Sequence, residues 1–140
     1  LLCRDLSEVS IYAQVDNEAF RCLKASTPGA YTFLFKGTKE VPKRLVNKKK
    51  KSIGIRIPDN IIALALLESL GEPMMTSTMI LPESDIPLSD PEYIRECLEK
   101  RVDLIIDGGH AVPAPTTVVD FSTGRPEIIR MGSGDPEPFQ

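Results

Sequence analysis

Ser52-Ile53-Gly54-Ile55-Arg56-Ile57-Pro58 is the stretch on which the fold turns. Side chains alternate along a strand, so Ile53, Ile55 and Ile57 enter a core while Ser52, Gly54 and Arg56 share the opposite surface. A hydroxyl, a bare Cα and a guanidinium then line one open floor. Gly54 leaves room there, and Arg56 can grip a carboxylate or phosphate through two parallel hydrogen bonds. The strand alone also fits a plainer reading, in which Arg56 is a solvent-facing charge.

Immediately upstream, the chain is strongly basic. Lys36, Lys39, Lys43, Arg44, Lys48, Lys49, Lys50 and Lys51 face only Glu40 across that segment, although the net charge of the whole chain is −3. Such asymmetry marks either a phosphate-binding face or a solvated loop. Further back, Tyr31 to Lys36 alternates as a strand, with Tyr31, Phe33 and Phe35 inward and Thr32, Leu34 and Lys36 outward. Val41 to Val46 suits one or two helical turns with Pro42 near the start. Asp5 or Ser7 caps a helix reaching about Gln14, and Asp16 caps a second one with Ala19, Phe20 and Leu23 on its apolar face. Thr27-Pro28-Gly29 is a turn.

Downstream, Asn60 caps a helix over Ile61 to Leu70 that Gly71 ends; its all-round apolar surface predicts burial against a sheet. Pro73 to Ile80 is expected as a strand, Leu81 to Ser89 as a loop, and a helix from Asp90-Pro91 to about Lys100. Val102 to Ile106 reads as a buried strand stopped by Asp107-Gly108-Gly109, and Pro113 and Pro115 keep the next segment extended. Thr116 to Phe121 and Ile128 to Arg130 are strands about a turn at Ser122-Thr123-Gly124, followed by a polar tail from Gly132. Interspersed strands and helices predict one α/β or α+β sheet.

The size, 140 residues, predicts one domain over 1–140, and 41% hydrophobic with 26% charged residues is ordinary for a globular chain. No apolar run is long enough to span a bilayer. Cys3, Cys22 and Cys97 are odd in number and widely spaced, which argues for a reducing, cytoplasmic setting rather than a disulfide framework. With His110 the single histidine, multi-histidine zinc sites are excluded and no metal site or catalytic nucleophile is expected. An opening at Leu1 fits a piece of a longer protein.

Six short motifs fall in one order: Thr27-Pro28-Gly29-Ala30-Tyr31-Thr32-Phe33, Lys51 to Pro58, Pro73-Met74-Met75-Thr76-Ser77-Thr78, Asp107-Gly108-Gly109, Thr116-Thr117-Val118-Val119-Asp120, and Ile129-Arg130-Met131-Gly132. This series resembles the YrdC-like family of threonylcarbamoyl-AMP synthases, nucleotidyltransferases that serve tRNA modification. The residues Cys3 to Glu8 and Lys36 to Pro42 are similar to its YciO branch. The resemblance implies a twisted mixed sheet with flanking helices, a concave basic face, and binding of ATP, L-threonine, bicarbonate and double-stranded RNA or tRNA, with magnesium accompanying ATP. By motif, Arg56, Thr76 and Thr116 would hold threonine, and Ser52, Thr78 and Arg130 the nucleotide. Lys43, Arg44, Lys48, Lys49, Lys50 and Lys51 would meet RNA phosphates. The family's N-terminal Pro-Thr-Asp and Lys-x-Arg segments have no counterpart in this chain, so the resemblance implies an N-terminally truncated domain that alone is not a competent synthase. Ile80 stands where the synthases carry asparagine and cannot supply its amide hydrogen bonds, which keeps open a non-catalytic RNA-binding module.

Overall fold

The computed structural model describes residues 1–112 and 114–140; the expectation for Pro113 lies outside them. The described residues form two compact units, Leu1–Thr76 with Pro115–Gln140, and Ser77–Ala114.

The first unit is built on an open, twisted, mixed sheet. Its strands are β1 (Tyr31–Lys36), β2 (Ser52–Ile55), β3 (Thr117–Asp120) and β4 (Glu127–Arg130), in the order β2-β1-β3-β4. β1 runs antiparallel to β2 and parallel to β3, and β4 closes the far edge antiparallel to β3. The alternation in β1 is realised: Tyr31, Phe33 and Phe35 are buried, as are Ile53, Ile55 and Ile57 after them. These side chains pack with Phe121 and Phe139 into an aromatic cluster in which Phe35 stacks on Phe121 at 5.1 Å between centroids and Phe33 meets Phe139 at 5.8 Å.

Two helices cover this core. α1 (Leu6–Tyr12) begins at Asp5, whose side chain accepts from the Glu8 N–H. α2 (Asn17–Ser26) begins at Asp16, whose carboxylate accepts from the Ala19 N–H at 2.8 Å. Ala19 and Leu23 are buried, whereas Phe20, expected beside them, is 40% exposed. The Val41–Val46 segment holds one 3₁₀ turn, Lys43–Leu45, instead of an α-helix.

α3 (Ile61–Leu70) has the expected ends. Asn60 accepts from both the Ile62 and Ala63 N–H groups, and Gly71 takes the left-handed conformation at φ 73°. Its predicted burial is not found. Only Leu67 is fully buried, and Ile61 is 85% exposed. Hydropathy records a demand for apolar contact, and one row of this helix meets it. The strand expected at Pro73–Ile80 reduces to a single bridge, Met74 to Leu2, because the residues after it find no ladder partner. The tail expected to be polar ends in a short 3₁₀ turn that buries Phe139 at the aromatic cluster.

In the second unit, α4 (Pro91–Leu98) starts at Asp90 with Pro91 in its first turn, as the sequence requires. Leu81 to Ser89 is irregular. The buried strand expected at Val102–Ile106 is absent: the segment is irregular, and Leu104 is 75% exposed. Its apolar residues line one side of a cleft with Pro91, Ile94 and Leu98 of α4 and stay largely exposed.

Candidate functional site

On the sheet face opposite the aromatic core, register brings four elements side by side. Gly54 of β2 pairs with Leu34 of β1, Thr32 of β1 with Val118 of β3, and Val118 with Arg130 of β4. Gly54 lacks a side chain where a Cβ would touch the Thr32 methyl at 3.5 Å and Leu34 at 3.6 Å. The Thr32 hydroxyl lies 2.7 Å from the Thr116 hydroxyl. Arg130 then donates from Nη2 to the Thr116 carbonyl at 2.9 Å and to Thr116 Oγ1 at 3.2 Å, with Nε on the same carbonyl. A hydrogen-bonded polar row therefore runs from Thr32 through Thr116 to Arg130, with the open space at Gly54 beside it.

Arg56 follows β2 between two buried isoleucines, so alternation turns its side chain to the face of Ser52 and Gly54. Its main chain is pinned: its N–H donates to the Leu1 carbonyl at 2.9 Å, and its carbonyl accepts from the Cys3 N–H at 2.7 Å. Its side chain is partly buried, and Nε is shut off from solvent with no hydrogen-bond partner. Burial pulls the guanidinium below its ordinary value, which is the signature of a cation that lost water and gained no anion. Ser52, the other outward residue of the strand, is buried and pairs across the register with Lys36.

The expected site residues are thus distributed unevenly. Thr116 and Arg130 touch, and Ser52 and Arg56 stand on the same strand face. Thr76 is an exposed residue at the end of the first unit, outside any strand. Thr78 belongs to the second unit and is exposed. Lys43, Arg44 and Lys48 to Lys51 are all exposed, on the 3₁₀ turn and on a tight turn whose Lys49 and Lys50 N–H groups donate to the Asn47 side chain. None of them forms an ion pair among the described residues. Sequence reasoning missed Thr32 as a site residue. Its signal was present in the alternation that set its hydroxyl opposite Phe33, yet only the β1–β3 pairing reveals Thr116 as its partner.

Residues 1–132 match the model of the Sua5/YciO/YrdC family, described as telomere recombination. The chain is 57% identical over 139 residues to the uncharacterized protein YciO of Escherichia coli, a match covering 99% of this chain and 68% of that protein. A putative threonylcarbamoyl-AMP synthase of Methanocaldococcus jannaschii is 30% identical over 130 residues, 92% of this chain and 59% of its own length. The crystal structure of E. coli YciO aligns with a TM-score of 0.94 at 56% identity, over 100% of this chain and 68% of that one. Pyrococcus abyssi Sua5 complexed with L-threonine shares the fold at a TM-score of 0.82 and 23% identity, over 94% of this chain and 38% of that one. By a family match spanning nearly its full extent and by its identity to YciO, this chain belongs to the Sua5/YciO/YrdC family.

Proposed function

We propose that the sheet face carrying Arg56 binds threonine and a nucleotide for threonylcarbamoyl-AMP synthesis. The observation that carries the reading is the Arg56 Nε, desolvated and unpartnered. A buried donor without an acceptor costs about 1–3 kcal/mol, more for a charged group. A carboxylate arriving at the two Nη groups, which stay accessible and unpaired among the described residues, offsets the cost of holding this half-desolvated charge without a counterion. The threonine bound to P. abyssi Sua5 and the synthase names of the more distant relatives support the same ligand class.

In the reaction, the threonine amine and bicarbonate form a carbamate with loss of water. A carbamate oxygen then attacks the α-phosphorus of ATP, and the bond to pyrophosphate breaks. No protein nucleophile is needed; the protein holds the reactants in line and balances charge. Arg56 takes the threonine carboxylate, Thr116 hydrogen-bonds beside it, and Ser52 and Arg130 face phosphate oxygens. Among the described residues no group of three or more His, Cys, Asp or Glu side chains gathers. Magnesium accompanying ATP would be held mainly by the nucleotide phosphates and would neutralise their charge.

The full-length protein, given ATP, threonine and bicarbonate, should release pyrophosphate in a threonine-dependent way. Arg56→Lys keeps the charge but loses the two-pronged geometry, so the KM for threonine should rise about tenfold or more while that for ATP moves little. Threonine-independent release, or none at high enzyme concentration, overturns the reading.

A further inference from the structure

The Thr32–Thr116–Arg130 row has a polarity that decides what it can bind. A hydroxyl offers one proton and two lone pairs. One lone pair of Thr116 Oγ1 already accepts from Arg130 Nη2. The 2.7 Å contact with Thr32 can run either way. If Thr116 donates to Thr32, its only proton is spent inward and a lone pair faces the ligand. If Thr32 donates, both lone pairs of Thr116 are engaged and its proton points outward.

We propose that Thr32 is a positioning residue that fixes Thr116 as a hydrogen-bond donor to an anionic ligand group. This rests on the reading of Thr116 as a threonine contact and adds the group it recognises: the carboxylate, which only accepts. An amine or amide N–H at that point would need the opposite polarity. Two further features hold Thr32 to this task. Its methyl lies toward the space left by Gly54, which turns the hydroxyl toward Thr116. Arg130 also grips the Thr116 carbonyl through Nε and Nη2, so the whole residue is fixed in place, not only its hydroxyl.

The test is calorimetric titration of the full-length protein with L-threonine, with L-threonine amide, and separately with ATP. Thr32→Val removes the hydroxyl and keeps the branched strand-forming shape; Thr32→Ser restores the hydroxyl. The expected result is threonine binding weakened about three- to tenfold in the valine variant and restored to within about twofold in the serine variant, with ATP binding unchanged. The amide, which loses the charge but keeps a carbonyl acceptor, should bind weakly to all three proteins and respond to Thr32 less than threonine does. Thr32→Ala replaces the valine variant if circular dichroism shows that the latter is not folded. Equal threonine affinity in wild type and valine variant overturns the role of Thr32 and leaves the proposed function standing. Parallel loss of threonine and ATP binding assigns Thr32 to structure alone and also overturns it. Wild-type protein that binds no threonine overturns both.

Discussion

Cys3 shows how burial sets the chemistry of a single side chain. It is fully buried, and burial, with Glu8 nearby, pushes its thiol from 9.0 up to about 12. The thiolate is the reactive form, so Cys3 is inert in the folded protein. Between those two values the unfolded chain has released this proton and the folded chain has kept it. Stability then falls with rising pH, because the unfolded state binds fewer protons. The Cys3 contribution is complete below about pH 9 and is lost as pH climbs toward 12. Urea titrations should therefore show wild type and Cys3→Ala differing most near neutral pH and converging from pH 9 to 11; a constant gap would count against this account. Cysteine count and spacing argued against a disulfide framework but carried no sign of this environment, which burial and the nearby Glu8 and Asp5 carboxylates create. Arg56 shows the same limit. Alternation predicted its face, while the orphaned Nε and the pinning of its main chain by Leu1 and Cys3, more than fifty positions away, are properties of the folded chain.

Among the elements, caps were the most legible feature, because a cap is local. Asp5, Asp16, Asn60 and Asp90 each accept from main-chain N–H groups of the helix that follows. Asp16→Ala should lower global stability by about 1 kcal/mol, read from a denaturant midpoint, because α2 is anchored by buried Ala19 and Leu23. Strands were legible only where a partner existed. β1 and β2 answer each other across a four-pair register, and their alternation was readable in both. Pro73–Ile80 and Val102–Ile106 carry similar apolar residues but gain no ladder, and a ladder is a property of two segments. α3 was readable in its boundaries and misread in its depth, since composition states what a helix would bury and not what is there to cover it.

Across the whole molecule, the first unit gathers its chain from both sides of the second. Its last turn is part of the core. Phe139 is 4% exposed and touches Tyr31, Phe33 and Phe121, while the Tyr31 hydroxyl donates to the Asp135 carbonyl at 3.1 Å. Gly134 sits so close to the Tyr31 ring that a Cβ there would overlap it. Phe139→Ala should cost about 3–5 kcal/mol and lower the melting temperature by many degrees; a shift within error would show the aromatic cluster to be complete without it. The abundance of Pro, Gly and Asp in the tail concealed this role, because average polarity says nothing about one ring at the end of a segment.

The parallel union of β1 with β3 joins residues more than eighty positions apart. During translation, Phe33 and Phe35 leave the ribosome long before Val119 and Phe121 are made. For that interval the nascent chain has bare aromatic rings without their partners, a state in which holdase chaperones compete with self-association.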